Sequence, residues 1–136
     1  MKGYLVDTNI FLRLLTEDDL SQTPAVKNLI ANIIDRRVHA YVTIAVILEM
    51  VWTLESYYEL KRNEVAEKLS LLLNTPNLVI ENQDVIEEAV EQYKQTRVDF
   101  ADCYNASFAK LRGDGSILSY DRHFDKLAGV KRKEPS

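Results

Sequence analysis

The sequence has little of what marks disulfide-stapled, zinc-binding or linker-containing chains. Its single cysteine, Cys103, excludes an intramolecular disulfide, and with no catalytic histidine nearby in the sequence it is interpreted as a small buried side chain. Three prolines and four glycines form no flexible linker, and repeats and low-complexity segments are absent. These absences favour a single domain over residues 1–136.

Long apolar runs are missing as well. The longest stretches, such as Ile44–Leu48, are far below the roughly 18 residues that cross a bilayer. Met1–Gly3 leads directly into a strand pattern. We therefore expect a soluble, cytoplasmic protein with no membrane contact.

The chain also lacks an excess of basic residues. Seventeen Lys and Arg stand against twenty-one Asp and Glu, a net charge of −4. That sign argues against a protein held to nucleic acid by its overall charge. This argument against nucleic-acid binding is weaker if several carboxylates lie at one metal site, because bound divalent cations reverse the local field. The charge must therefore be interpreted by position.

Short apolar strand patterns alternate with helical patterns along the chain. Strands are predicted at Gly3–Val6, His39–Val42, Leu78–Ile80 and Ile117–Tyr120. Helices are predicted from Thr8, over Pro24–Arg37, from the cap Thr43 to about Tyr58, from Asn63, over Asp84–Gln95 and over Asp99–Leu111. This alternation indicates an α/β three-layer sandwich with a short parallel sheet of about four or five strands flanked by helices.

Two aspartates follow predicted strands directly. A parallel sheet would present Asp7 and Asp121 at the same edge, where ligands bind to such sheets. Each aspartate would also serve as a cap for the helix that follows, so capping remains an alternative.

Glu49 interrupts an apolar stretch of a predicted helix whose two sides both look buried. A buried carboxylate needs a salt bridge or a cation, because an unpaired buried charge is costly. The alternative is a narrow exposed face on this helix.

Asp99 and Asp102 lie on one face of a predicted first helical turn, and Asn105 continues that face. Capping would explain this pair too. Together with Asp7, Glu49 and Asp121, however, they suit a site for Mg²⁺ or Mn²⁺, which prefer oxygen ligands. A metal of this kind performs phosphoryl chemistry.

These residues make the sequence resemble a PIN domain over nearly its whole length, and especially the toxin ribonucleases of VapBC-type toxin–antitoxin modules. The opening Leu-Val-Asp-Thr-Asn-Ile-Phe-Leu-Arg resembles the first family motif. The resemblance implies that Asp7 is a metal ligand supported by Thr8 and Asn9. Glu49 matches the glutamate of the family's helix motif.

The two remaining family motifs are matched in order. Asp-Phe-Ala-Asp-Cys resembles the third motif, which implies that Asp102 is a ligand and Asp99 a secondary residue. Ser119 to Asp121, followed by Arg122 and Phe124, resembles the last motif. The resemblance thus implies a metal site made by Asp7, Glu49, Asp102 and Asp121.

The resemblance further implies an endoribonuclease that uses Mg²⁺ or Mn²⁺, forms a homodimer and is inhibited by a cognate antitoxin. Arg13 and Arg122 are the predicted RNA-contacting residues, and Asn105 and Ser119 are predicted supporting residues. These two arginines, like Lys110, Arg112 and the tail Lys131–Lys133, fit either phosphate contacts or ordinary solvated positions.

Three alternatives remain open at this point. A phosphatase of the haloacid dehalogenase kind also places an aspartate after its first strand, although Asn9 departs from that family's pattern. A metal-independent ribonuclease would use His39 and His123 as base and acid. A protein-interaction domain would present Trp52, Tyr57 and Tyr58, although aromatic residues in amphipathic helices usually lie in the core.

Overall fold

The computed structural model describes residues 3–16 and 21–136. Predictions that concern Met1, Lys2 and residues 17–20 lie outside these ranges. The helices are α1 (Thr8–Thr16), α2 (Thr23–Ile34), α3 (Ile44–Ser56), α4 (Arg62–Leu73), α5 (Gln83–Gln95) and α6 (Phe100–Arg112). The strands are β1 (Gly3–Leu5), β2 (His39–Val42), β3 (Val79–Ile80), β4 (Ser116–Leu118) and β5 (Lys131–Lys133), and a 3-10 helix covers Arg122–Lys126.

All strand pairs between the described residues are parallel, so the predicted α/β class with parallel strands is confirmed. The strands are, however, divided between a sheet of order β1-β2-β3 and a two-stranded sheet of β4 and β5. Tyr4 is in register with Ala40, and Val42 with Ile80. The arrangement therefore differs from the single sheet that the sequence suggested.

Strand β5 was not predicted, because Lys-Arg-Lys lacks the apolar residues of a strand pattern. Backbone hydrogen bonds form it instead. The Lys131 N–H donates to the Gly115 carbonyl oxygen at 2.8 Å, and the Ser119 N–H donates to the Lys133 carbonyl oxygen at 3.0 Å. The tail of the chain is thereby fixed beside β4.

Helix ends follow local backbone chemistry. Thr43 caps α3 as predicted, and its hydroxyl oxygen accepts a hydrogen bond from the Val46 N–H at 3.4 Å. Helix α2 ends at Ile34, short of the predicted Arg37, because Arg36 adopts a φ of +63° that cannot continue a right-handed helix. Strand β4 ends at Leu118, before the predicted Tyr120.

The core lies between the helices and the buried faces of β2 and β3. Its largest fully buried side chains include Phe11, Ile33, Ile47, Met50, Leu54, Leu69, Leu72, Ile86 and Tyr93. Cys103 is buried, as expected. No helix in the described ranges has both the length and the apolar content needed to cross a membrane.

Candidate metal centre

Three side chains from two elements converge at one end of α6. Asp102 lies in the first turn of α6, Asp121 precedes the 3-10 helix, and His123 lies within it. One ligand atom from each lies within 4.8 Å of the others. Asp102 and Asp121 line an open cleft together with Asn105 and Ser119. Two of the four predicted ligands and two predicted supporting residues thus share one cleft.

The turn that carries Asp121 is fixed by its own side chains. The Asp121 N–H donates to the Ser119 hydroxyl oxygen at 2.9 Å. Asp121 Oδ1 accepts from the His123 N–H at 2.8 Å and lies 3.2 Å from His123 Nδ1. Asp121 therefore does cap the following helix, as the alternative interpretation held, and it does so through one carboxylate oxygen.

The electrostatics of the centre suit a cation. Burial raises the pKa of Asp102 above its usual range, and the nearby carboxylates of Asp121 and Asp99 raise this pKa further, while His123 lowers it. A cation would offset the mutual repulsion of these carboxylates. Two carboxylates beside the amide of Asn105 make an oxygen-rich donor set that fits Mg²⁺ or Mn²⁺.

Asp99 occupies the N-cap position of α6, but its side chain accepts no capping hydrogen bond. It lines a groove between α3 and α6 together with Leu48, Trp52 and Glu55. Glu55 was not singled out from the sequence as a residue of this groove. Its Oε2 accepts a 2.6 Å hydrogen bond from the Tyr93 hydroxyl, a long-range contact that no local pattern signals.

Asp7 and Glu49 are not part of the three-residue group. Asp7 is exposed after β1, and Glu49 is exposed on α3. The expectation that Glu49 is buried is wrong, because Ala45, Glu49, Trp52 and Ser56 form one exposed stripe of that helix. The roles of Asp7 and Glu49 as ligands remain predictions.

The remaining first-motif residues divide between core and surface. Thr8 is buried, and its hydroxyl donates to the Val46 carbonyl oxygen at 3.5 Å, which joins α1 to α3. Asn9 is exposed. Thr8 therefore has a structural contact that would support the position of its neighbour Asp7.

The basic residues also separate. Arg13 Nε donates to Gln22 Oε1 at 2.6 Å, so this guanidinium is engaged near the start of α2. Lys110 forms an ion pair with Glu88, and Arg112 forms one with Asp84 at 2.9 Å. Arg122 is exposed and follows Asp121 directly. Of these four cations, Arg122 is the one adjacent to the three-residue group.

The alternative histidine pair is not brought into one cavity. His39 lines a cavity with Arg36 and Asn77, whereas His123 contacts Asp121. His123 was not predicted to be a ligand, although its position two residues after Asp121 was an available signal.

Two of the three aromatic residues that the protein-interaction alternative would present lie on the surface. The exposed fraction is 66% for Trp52 and 74% for Tyr57, so neither side chain belongs to the core. Tyr57 lies just after the end of α3, and Trp52 belongs to the exposed stripe of that helix.

Comparison with known proteins places this chain in a family. The family model described as "PIN domain" matches residues 4–130. The chain therefore belongs to the PIN-domain family, as its motifs predicted, and the dehalogenase-like alternative is not favoured.

Two relatives extend along nearly the whole chain. A VapC ribonuclease of Aquifex aeolicus (strain VF5) is 28% identical over 131 residues, which are 96% of each protein. The crystal structure of Mycobacterium tuberculosis VapC20, described as a sarcin-ricin loop cleaving toxin, has 16% sequence identity and a TM-score of 0.39. That match covers 93% of this chain and 95% of VapC20.

Proposed function

We propose that this chain is a divalent-metal-dependent endoribonuclease that hydrolyses RNA phosphodiester bonds and acts as the toxin of a VapBC-type pair. The observation that carries the proposal is the convergence of Asp102 and Asp121, from separate elements of a PIN domain, on one cleft. The similarity to a VapC ribonuclease supports RNA as the substrate.

Asp102 and Asp121 are the proposed first ligands for Mg²⁺ or Mn²⁺. When bound, the cation supplies positive charge against the phosphate and acidifies a water molecule. Asp7 and Glu49 are proposed as further ligands on the strength of the motifs. His123 holds the Asp121 carboxylate through two contacts to Oδ1, and Ser119 holds its backbone, so the proposed role of both is to orient this ligand.

A cognate antitoxin, a homodimer and a cytoplasmic location belong to the same proposal. They rest on the motifs and on the similarity to a VapC ribonuclease. Light scattering on the purified chain, alone and with the product of a neighbouring small gene, would distinguish a monomer, a dimer and an inhibited complex.

The test is cleavage of a mixed RNA pool by the purified chain with Mg²⁺ or Mn²⁺ and with EDTA. We expect products with 3′-hydroxyl and 5′-phosphate ends and no cleavage with EDTA. Asp102→Asn and Asp121→Asn should lose more activity than the roughly 10- to 100-fold that loss of a supporting residue costs. Asp35→Asn, an exposed aspartate at the end of α2, is the matched control.

Parallel variants test the two distant acids. Asp7→Asn and Glu49→Gln should also lose most cleavage while keeping the native circular dichroism spectrum. Full activity in either variant would remove that residue from the proposed site. Cyclic phosphate ends formed in EDTA would contradict metal dependence and favour His123 as an acid or base.

A further inference from the structure

Charge is distributed unevenly in the last part of the chain. Residues 122–133 contain five basic residues and one acidic residue, a net charge of +4, although the whole chain carries −4. This segment begins directly after Asp121 and ends with β5. A positive region therefore adjoins the acidic centre of a protein whose overall charge is negative.

One of these cations has a structural function. The Arg132 guanidinium donates to Asp125 at 3.0 Å, to Glu134 at 2.8 Å and to the Ser119 carbonyl oxygen at 3.0 Å. Hydrogen bonds from Ser116 lower the pKa of Asp114, and the charge of Lys131 nearby lowers it further. These two residues are therefore at least partly neutralised by acidic neighbours.

The other cations of the segment face solvent. Arg122, Lys126 and Lys133 are exposed, and none of them forms an ion pair within residues 3–16 and 21–136. Three charges without a protein partner are thus available to an anionic ligand.

Two of these charges adjoin the chain segment from Ser119 to Asp121, whose end residues line the cleft. Lys133 is in register with Leu118, and its carbonyl oxygen accepts from the Ser119 N–H. Arg122 follows Asp121 on the other side of the same short connection. The chain segment from Ser119 to Asp121 therefore has an exposed cation beside each of its ends.

An aromatic side chain lies in that segment. Tyr120 has an exposed fraction of 70% between Ser119, which holds the turn, and Asp121 of the three-residue group. Other aromatic side chains, such as Trp52 and Tyr57, are equally exposed, so it is the position of Tyr120 beside the acidic centre, and not its exposure alone, that distinguishes it. Beside exposed cations, an aromatic ring offers a stacking surface for an unpaired base whose phosphates the cations attract.

We infer that Tyr120, Arg122 and Lys133 form a binding surface for single-stranded RNA, in which Tyr120 stacks on an unpaired base and the two cations contact the flanking phosphates. This inference rests on the proposed function and specifies its substrate as RNA that is unpaired next to the cut bond. A duplex is disfavoured because its base faces are already stacked. An acidic polypeptide would use the cations but would have no base to stack on Tyr120.

The test measures binding of a fluorescent, unstructured RNA of about 12 nucleotides to the Asp102→Asn protein at several salt concentrations. Arg122→Ala and Lys133→Ala should each reduce the slope of log affinity against log salt by about 0.7. Tyr120→Ala should weaken binding by roughly 5- to 100-fold with an unchanged slope, and Tyr120→Phe should retain affinity. Arg37→Ala, which removes an exposed cation preceding β2, is the matched control.

Three results would overturn the inference. In the first, the Tyr120→Ala and Lys133→Ala proteins bind RNA like the Arg37→Ala control. In the second, a blunt RNA duplex binds as tightly as the single strand. In the third, polyglutamate competes for binding as well as unlabelled RNA does. If wild-type protein cleaves RNA with metal while these variants bind normally, only the binding surface is wrong. If the variants behave as expected but wild-type protein cleaves nothing, the binding surface stands and the proposed function fails.

Discussion

Arg62, the first residue of α4, holds Tyr93 by both its ring and its backbone. The guanidinium carbon lies 3.8 Å from the Tyr93 ring centroid, and Nε and Nη2 donate to the Tyr93 carbonyl oxygen at 3.1 and 2.8 Å. Nη2 also donates to the Val98 carbonyl oxygen at 2.6 Å. Because Val98 is followed by Asp99 and α6, Arg62 joins the end of α5 to the helix that carries Asp102.

The Arg62→Met variant should therefore unfold more easily. Methionine keeps an apolar stem but leaves the carbonyls of Tyr93 and Val98 without their donor, which should lower the free energy of unfolding by about 2–3 kcal/mol. Arg62→Lys should recover only part of this loss, since an ammonium group lacks the planar fork. Urea titration followed by circular dichroism measures both, with the exposed Arg97→Met as control. Equal midpoints for the Arg62→Met and Arg97→Met variants would show that the contact contributes little.

The Asp102→Asn variant should be more stable than wild type in the absence of metal. The raised pKa of Asp102 shows that burial and the neighbouring carboxylates disfavour its ionised form, so removing the charge relieves the folded state at neutral pH. Solvent screening keeps the gain small, roughly 2 °C in melting temperature, which corresponds to about 0.5 kcal/mol. The same variant should lose the rise in melting temperature that saturating Mg²⁺ gives wild type. The Asp35→Asn control should keep the Mg²⁺-induced rise in melting temperature. If the Asp102→Asn variant keeps this rise as well, the cation binds elsewhere.

Cys103 should make stability depend on pH in the alkaline range. Burial raises the pKa of its thiol from 9.0 to about 11 in the folded state. The folded protein therefore holds this proton more tightly than the unfolded chain does. The resulting stabilisation is complete below about pH 9 and is lost as the pH rises towards about 11, by at most about 1.4 kcal/mol per pH unit.

A comparison with Cys103→Ala isolates this effect, because the other alkaline groups titrate in both proteins. The difference in free energy of unfolding between wild type and Cys103→Ala should narrow from pH 9 to pH 11, the interval between the two pKa values. A constant difference across that interval would show that the thiol titrates alike in the folded and unfolded chains.

Gly115→Ala should disturb the sheet of β4 and β5. Gly115 has a φ of +88°, and a β-carbon at this position would collide with the Gly129 carbonyl oxygen. The strain and the collision should cost about 2 kcal/mol or more. Gly3→Ala is the matched control, because its added β-carbon would meet mainly the Tyr41 ring at 3.3 Å, which can shift. Equal urea midpoints for the two variants would contradict this account.

The sequence predicted the elements better than their assembly. Apolar periodicity located α1 to α6, β2 and β3 because each of these buries a face of its own, and apolar residue types located β1 and β4, whose residues are exposed or half-buried. Strand β5 was not predicted because its pairing uses backbone groups, and Lys-Arg-Lys carries no apolar pattern. The division into two sheets depends on which strand edges meet, which no local pattern encodes.

The candidate site was likewise predicted only in part from the sequence. Asp102 was predicted mainly from the family motif, and Asp121 from a strand that was expected to reach Tyr120 but ends at Leu118. His123 was missed as their neighbour because its contact depends on the geometry of a 3-10 turn. Glu49 was expected to be buried because apolar residues flank it in the sequence, but it lies on the one stripe of α3 that faces solvent.

The exposed stripe of α3 also decides how the protein can be observed. Trp52 is the single tryptophan of the chain, and two thirds of its surface is already in water. Trp52 should therefore emit like a hydrated indole in the native protein, and its emission should change little on unfolding. Circular dichroism is thus the better monitor of stability. Because Trp52 lines the groove beside Asp99, the same emission should shift to shorter wavelength when a partner covers that groove. The molecule thus carries a built-in optical reporter of occupancy at the α3–α6 groove.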